Sequence, residues 1–337
     1  MLAYETAGDP ISGLKWTRKT TQAVADELAS IGIHVSASTV AKLLRKMDYS
    51  LRVNHKKRAH CSILPNERDE QFQIIKRTRK HFERISAPIV SVDSKKRELV
   101  GCFKNPGKVW TREPICVNDH DFPSLAEGVA IPYGIYDWCA NEGTVFVGTS
   151  HDTAVFATDC LAAWWRLYGR QRYPDTQELL ILADSGGSND PRRRAWIYGL
   201  QTKLCNTYGL TVTVAHYPPG ASKWNPADHR LFSEISKHWA GHPLDSYETI
   251  LNYLATTITK TGLQVHAHLS ETVYATGLKT SDEEWAAVDI QRLDPQPKRN
   301  YTLIPASEAA TYNSTSPTHN GNGYRPAATE NRELIFA

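Results

Sequence analysis

The amino-acid sequence predicts an α/β fold, a mixed sheet flanked by helices, preceded by a small all-helical region. From residue 87 onward, apolar runs of strand length alternate with helical patterns, which is typical of helices packed on a sheet. The first 50 residues instead contain two short amphipathic helical patterns. The hydrophobic content of 41% and the charged content of 22% are typical of a soluble globular protein of this length, 337 residues.

Composition argues against several other classes of protein. No apolar run approaches the roughly 18 residues that a membrane-spanning helix needs. The first residues lack the basic and apolar regions of a secretory signal. The six cysteines form no CxxC pair, which argues against a zinc knuckle and is typical of free thiols in a reducing compartment. We therefore expect a cytoplasmic protein with no membrane partner.

The basic front region predicts a helix-turn-helix with an anionic partner. A first helix within residues 17–31 ends at Gly32, and a second helix lies within residues 35–51. The apolar side chains expected to face inward are Val24, Leu28, Ile31, Val40, Leu43, Leu44 and Met47. The cations expected to contact DNA are Lys42, Arg45 and Lys46 on the second helix, and Lys56, Lys57 and Arg58 after it. A plain αα-hairpin with a solvated basic face is the alternative.

Changes of composition divide the chain into four segments. They are a helix-turn-helix region (residues 1–60), a charged connecting helix (61–86), an α/β domain (87–305) and a disordered tail rich in Ser, Thr, Asn, Gly and Pro (306–337). In the α/β domain, strands are predicted at 87–93, 97–103, 108–113, 130–139, 143–150, 178–184 and 210–219. Helices are predicted at 152–169, 190–209 and 225–240.

Two acids stand at the ends of apolar strands. Asp93 follows "APIVSV" and Asp184 follows "ELLILA". Ligands of open α/β sheets bind at the carboxyl ends of the strands, so the two carboxylates converge if their strands are neighbours. Close carboxylates repel unless a cation lies between them, and hard ions such as Mg²⁺ or Mn²⁺ prefer oxygen ligands. A pair of such ions is the arrangement that enzymes use for phosphoryl displacement.

A third acid is expected at Asp228, in "KWNPADHRLF". On a helix capped by Asn225, Asp228 falls at the centre of the apolar face that contains Leu231 and Ile235. Taken alone, each acid has an alternative: a strand-end turn for Asp93, an SGGSN loop that cradles a phosphate for Asp184, and a capping box for Asp228. Together with the basic front region, the three acids favour metal-dependent DNA chemistry.

Four segments of the chain closely resemble bacterial DDE transposases of the Azo-type insertion-sequence family. They are "SVDSKKRELVGCFKN", "IPYGIYDWCANEG", "ILADSGGSN" and "HYPPGASKWNPADHRLFSEIS", and the resemblance runs from about Gly8 to Leu303. It implies an RNase H-like core with a mixed five-stranded sheet and an acidic triad on the first strand, the fourth strand and a following helix. Carried over by position, the triad is Asp93, Asp184 and Asp228.

The sequence departs from the family pattern in two ways. The usual third acid is Glu in a Trp-Asn-x-x-Glu-His-Arg context, whereas here Trp224, Asn225, His229 and Arg230 match around an Asp that is one methylene shorter. Family members also carry further helical sequence before the Gly-Asp-Pro motif, so we expect a shortened front. The tail after Leu303 is unlike the family.

The resemblance implies a bacterial transposase that cleaves double-stranded DNA and transfers strands with two Mg²⁺ or Mn²⁺ ions per active site. Pairing of element ends and target DNA implies a homo-oligomer on DNA. Phosphate contacts are expected from Lys95, Lys96, Lys223 and His229, with solvated surface as the alternative for the lysines. A non-catalytic DNA-binding protein and an RNase H-like nuclease without strand transfer remain the alternative functions.

Overall fold

The computed structural model describes residues 6–8, 15–17, 20–49, 65–306 and 324–326. The chain divides into two compact units, residues 1–59 and residues 60–337, and each is described by itself. No helix within these described ranges combines the length and the apolar character needed to cross a bilayer.

The first unit contains a short hairpin and two helices. Strands β1 (Thr6–Gly8) and β2 (Lys15–Thr17) pair antiparallel, and helices α1 (Thr21–Ser30) and α2 (Ala37–Lys46) follow. The side chains of Thr20 and Ser36 cap the two helices, and Gly32 takes φ +86° in the turn between them.

The core of this unit is smaller than the sequence predicts. Val24, Ala25 and Val40 are buried, with Leu28 and Leu44 packed against them. The prediction that Ile31, Leu43 and Met47 face inward is wrong, because their side chains are 59%, 47% and 63% exposed. Ile31 and Met47 lie just past the ends of α1 and α2, where helical periodicity no longer applies, and Leu43 lies on the flank of the stripe from Val40 to Leu44.

The second unit is built on one mixed sheet. Its strands are β3 (Ile89–Ser94), β4 (Glu98–Val100), β5 (Gly128–Asp137), β6 (Glu142–Gly148), β7 (Glu178–Ala183), β8 (Thr211–His216), β9 (Gln264–Ser270), β10 (Ile290–Arg292), β11 (Asn300–Leu303) and β12 (Tyr324–Pro326). The order is β10-β11-β8-β7-β3-β5-β6-β9-β12, and β4 pairs with β5. Strands β7 and β8 run parallel to β3, whereas β5 is antiparallel to β3 and β6 is antiparallel to β5.

The five central strands, in the order β6-β5-β3-β7-β8, confirm the expected RNase H-like core. The sheet extends beyond these five on both sides, through β11 and β10 at one edge and through β9 and β12 at the other. The predicted hairpin of β5 and β6 is present, whereas residues 108–113 form no strand. The predicted disordered tail lies outside the described residues except for residue 306 and β12, which pairs with β9.

Helices cover both faces of the sheet. Their bounds are α3 (Pro65–Arg84), α4 (Ala154–Trp164), α5 (Arg170–Arg172), α6 (Arg194–Leu200), α7 (Ser233–His238), α8 (Tyr247–Ala255) and α9 (Asp282–Ala286). π-helical segments join α4 to α5 (Trp165–Gly169), follow α6 (Gln201–Asn206) and precede α7 (Ala227–Phe232).

The strands divide their side chains between these two helical layers. Odd and even positions alternate, so that Val90 and Val92 of β3 join the core with α4 and α6, whereas Ile89 packs with α3. We call these the α4/α6 face and the α3/α7 face. The predicted connecting helix, now α3, is part of the core because its Ile75 and Phe82 are buried against the sheet.

Candidate active site

The first predicted acid, Asp93, lies near the end of β3 on the α3/α7 face. Asp93 pairs with Gly134 of the neighbouring strand β5. A Cβ atom at Gly134 would lie 2.6 Å from the Phe232 ring. Side chains at paired positions share a face, so Asp93 points toward the helix that carries Phe232. Glycine at 134 leaves the space that this helix needs to approach the sheet beside the carboxylate.

The second acid, Asp184, is brought next to Asp93 by strand pairing. Val92 of β3 is in register with Ala183 of β7, so the next residues, Asp93 and Asp184, lie side by side at the carboxyl ends of parallel strands. Adjacent strands are about 4.8 Å apart, so the two acids occupy neighbouring positions, and the charge of Asp184 contributes to the raised pKa of Asp93. The two strands are neighbours, which is the condition that the sequence analysis set for the two acids to converge.

The third acid, Asp228, is held near Asp93 by the start of its helix. The Ser91 hydroxyl donates to Asn225 Oδ1, and Asn225 Nδ2 donates to the Val92 carbonyl at 3.0 Å. Asn225 Oδ1 also accepts from the Ala227 N–H at 3.2 Å, which confirms the predicted capping role. This clasp fixes the first helical turn on β3, so Asp93 and Asp228 line the same cavity, of about 310 Å³.

Mutual repulsion and burial make these carboxylates hard to ionise together. Burial, followed by the charges of Asp184 and Asp228, raises the pKa of Asp93 from 3.8 to about 8. Burial also raises the pKa of Asp184, to about 6, although hydrogen bonds from Asn189 and the Gly186 N–H oppose this shift. Within the described part of the chain, none of the three acids forms an ion pair with Lys, Arg or His. The site therefore has negative charge that no described side chain neutralises.

One carboxylate oxygen has no hydrogen-bond partner. Asp184 Oδ1 is buried and accepts no hydrogen bond, which is costly for a carboxylate oxygen unless an ion or water binds it. As the side chains stand, no three His, Cys, Asp or Glu residues of the described ranges form a closed group for a metal ion. Carboxylate oxygens are ligands that suit Mg²⁺, an ion that commonly binds through one or two carboxylates and keeps several waters.

The residues predicted to contact phosphates differ in their exposure and in the contacts that their side chains already make. Lys95 pairs with Glu98, lies 4.8 Å from the centre of the Trp239 ring and is only 16% exposed. Lys96 is exposed and borders both the cavity of Asp93 and a second cavity, of about 550 Å³. Lys223 is exposed beside the Trp224 ring. His229 is also exposed, and its pKa is lowered mainly by burial.

The predicted DNA contacts of the front region lie in the first unit. Lys42, Arg45 and Lys46 are exposed on α2, as expected. Lys56, Lys57 and Arg58 lie outside the described residues.

A fourth acid, Asp152, was missed by the sequence analysis. Its Oδ1 accepts a hydrogen bond from the Ser94 hydroxyl at 3.1 Å, and its charge contributes to the raised pKa of both Asp93 and Asp184. Strand β6 runs in the same direction as β3, so its carboxyl end lies at the same edge of the sheet. Ligands of α/β sheets bind at the carboxyl ends of the strands, and a search of the four residues that follow β6 would have identified Asp152 on this basis.

Comparison with known proteins gives one extensive match and several distant ones. The family model of the Rhodopirellula transposase DDE domain (ISAZ013) matches residues 1–305. No curated protein matches the chain.

Several solved structures of Mos1 transposase match the chain. One is the Mos1 transposase paired-end complex with left transposon end, at 18% identity and a TM-score of 0.41 over 70% of this chain and 65% of that one. A pre-cleavage Mos1 transpososome matches at 18% identity and a TM-score of 0.42, over 70% of this chain and 66% of that one. The chain thus spans about 65% of the length of these solved chains.

Proposed function

Since this chain belongs to the family of the Rhodopirellula transposase DDE domain, we propose that it catalyses DNA strand cleavage and strand transfer of an insertion sequence. The observation that carries the proposal is the meeting of Asp93 and Asp184 on adjacent parallel strands, with Asp228 in the same cavity as Asp93. The acids converge at the carboxyl ends of parallel strands, and this is the edge at which an α/β sheet binds its ligand.

The residues at the site fit a divalent metal ion. Asp93, Asp184 and Asp228 would hold Mg²⁺ or Mn²⁺, two ions per site, and the bare Asp184 Oδ1 supports this assignment because it lacks any other partner. When bound, such ions would supply Lewis acidity for the attacking water or 3′-hydroxyl and for the leaving oxygen. Burial and then the charges of the neighbouring acids raise the pKa of Asp93, and a bound cation would offset the part of this shift that repulsion causes.

The chain's own cations and helices would place the DNA. Lys96 is exposed at the cavity of Asp93 and Asp228, and Lys223 is exposed five residues before Asp228, so both can contact phosphates directly, whereas Lys95 must first leave Glu98. We assign exposed His229 a contact to DNA rather than metal binding. In the first unit, the cations of α2 would bind the element end as part of a helix-turn-helix.

The double-stranded DNA partners would be the two element ends and a target. Holding two ends at once requires at least two copies of the chain, so we expect a homo-oligomer on DNA. The clustered Lys56, Lys57 and Arg58 would add sequence-independent affinity through phosphate contacts.

The test uses purified full-length chain, Mg²⁺ and DNA carrying the ends of its own element. We expect nicked and joined products on a denaturing gel, and their loss in Asp93→Asn and Asp184→Asn while DNA binding persists. Asp282→Asn, at an acid that is 91% exposed, is the matched control and should react like the wild type.

Three results would contradict the proposal. Cleavage that persists in both triad variants would refute the assignment of the acids. DNA binding without any metal-dependent cleavage would indicate a non-catalytic DNA-binding protein. Cleavage without joining would indicate an RNase H-like nuclease.

A further inference from the structure

We propose that three buried side chains, His216, Tyr301 and Trp196, position the proposed catalytic acid Asp184 by holding its backbone carbonyl. They are positioning residues, since none of them is among the carboxylates of the site. The inference rests on the proposed function, because it assigns these residues a purpose at the same metal site.

The three side chains form a continuous hydrogen-bonded chain that ends at Asp184. His216 Nδ1 lies 2.8 Å from the Asp184 carbonyl oxygen, and His216 Nε2 lies 3.2 Å from the Tyr301 hydroxyl. Trp196 Nε1 donates to the same hydroxyl oxygen at 2.9 Å. The chain thus links α6, β11 and β8 to the first residue after β7, where the strand ladder has ended.

Each group in this chain has one possible role. The Asp184 carbonyl can only accept, so His216 Nδ1 carries the proton. His216 is fully buried, and its Nε2 accepts from the Tyr301 hydroxyl. The Tyr301 oxygen in turn accepts from the Trp196 indole. A chain in which every donor and acceptor is assigned holds Asp184 in one orientation.

The carboxylate of Asp184 is held by separate hydrogen bonds. The Asn189 side chain hydrogen-bonds it, and Asn189 Oδ1 accepts from the Tyr133 hydroxyl at 2.9 Å, with both Asn189 and Tyr133 buried. With its carbonyl and its carboxylate both tied, Asp184 keeps Oδ1 bare. An acid held in this way loses little freedom when it binds an ion, which is how outer hydrogen bonds raise metal affinity.

Two variants at one position separate this role from simple core packing. His216→Asn places an amide nitrogen near the position of Nδ1 and keeps the donor to the Asp184 carbonyl. His216→Gln places it near Nε2 and loses that donor. Tyr301→Phe removes the hydroxyl from the middle of the chain and changes little volume, so it serves if His216→Gln does not fold.

The control is Thr302→Val on the neighbouring residue. It removes the contact of 3.0 Å between the Thr213 and Thr302 hydroxyls, which joins the same two strands, β8 and β11, but points to the other face of the sheet. A purely structural effect on these strands should appear in this control as well.

The primary measurement is Mn²⁺ binding to the folded protein. The electron paramagnetic resonance signal of unbound Mn²⁺ reports this binding, and DNA cleavage is measured in parallel. We expect about tenfold weaker Mn²⁺ binding, or more, in His216→Gln and Tyr301→Phe, the usual effect of losing an outer hydrogen bond. His216→Asn should stay closer to wild type than His216→Gln, and Thr302→Val should equal wild type.

The outcomes separate this inference from the function on which it rests. Folded His216→Gln and Tyr301→Phe that bind Mn²⁺ as tightly as wild type would overturn the positioning role while leaving the proposed function intact. Wild type and Thr302→Val that bind no Mn²⁺ and cleave no DNA would overturn the proposed function itself.

Discussion

At the scale of single residues, Asp93 binds its proton more tightly in the folded chain than in the unfolded chain. Its pKa rises from 3.8 to about 8 through burial and the neighbouring acids. Between these two values the unfolded chain has released a proton that the folded chain still holds. The free energy of unfolding of the metal-free protein therefore falls as the pH rises through this window.

This imbalance predicts that Asp93→Asn stabilises the metal-free protein at pH 8. The amide is neutral at every pH, so the variant avoids the cost of ionising a buried acid. We expect its free energy of unfolding to exceed that of wild type by at least about 1.4 kcal/mol, the equivalent of one pKa unit. Denaturant unfolding in EDTA at pH 5 and pH 8 measures the difference, which should shrink at the lower pH. An equal effect at both pH values, or an equal effect of Asp282→Asn, would contradict the argument.

The length of the Asp228 side chain yields a prediction about the rate of DNA cleavage. Asp228 lines the cavity of Asp93, yet no closed three-ligand group forms among the described residues. Asp228→Glu extends the carboxylate by about 1 Å, a displacement large enough to change catalytic rates around a hundredfold. We therefore expect Asp228→Glu to raise the rate of DNA cleavage and to lower the half-saturating Mn²⁺ concentration.

Asp228→Asn is the comparison for this prediction, because it keeps the length of the side chain and removes its charge. It should lose cleavage. If Asp228→Glu also loses cleavage, the backbone of the helix has adapted to the shorter acid.

At the scale of elements, the sequence predicted those strands that the sheet buries on both faces. β3, β7 and β8 lie in the middle of the sheet, so their residues form near-continuous apolar runs that are easily recognised. β9 was missed because His266 and His268 interrupt its pattern, and β10 and β11 are too short to show one.

The candidate site was predictable from the sequence only where its residues lie at the ends of recognisable strands. Asp93 and Asp184 end recognisable strands, so strand order alone brings them together. The roles of His216 and Asn189 depend on contacts with Tyr301 and Tyr133, which are distant in sequence, and no local pattern reveals such contacts.

The helix that carries Asp228 depends on one buried side chain, Asn225. Asn225→Ala removes its hydrogen bonds to Ser91 and to the Val92 carbonyl and leaves buried polar groups unsatisfied. We expect a loss of about 1–3 kcal/mol in the free energy of unfolding. Because the clasp also places Asp228, cleavage at a temperature where the protein is folded should fall as well.

Ser246→Ala is the matched control for the helix anchor. It removes the cap of α8, whose Oγ accepts from the Thr249 N–H at 3.1 Å, and should cost about 1 kcal/mol without changing cleavage. Equal cleavage by Asn225→Ala and Ser246→Ala would show that the clasp contributes stability alone.

At the scale of the whole molecule, charge and chemistry lie in different units. The residues proposed for catalysis belong to the unit of residues 60–337, and the exposed cations of α2 belong to the unit of residues 1–59. The net charge of only +3 hides this difference. If the first unit binds DNA, removing its cations should weaken binding without altering the acids that perform the chemistry.

The salt dependence of DNA binding tests this division. Each lysine or arginine that contacts a phosphate contributes about 0.9 to the slope of log affinity against log salt, because it releases a counterion. The triple variant Lys42→Gln, Arg45→Gln and Lys46→Gln should therefore bind element-end DNA with a shallower slope, measured by fluorescence anisotropy across a salt series. A control with the same change of charge replaces the exposed lysines at 260, 279 and 298 with glutamine and should keep the wild-type slope. If both triple variants lower the slope equally, the effect comes from net charge, and α2 is then a solvated basic face.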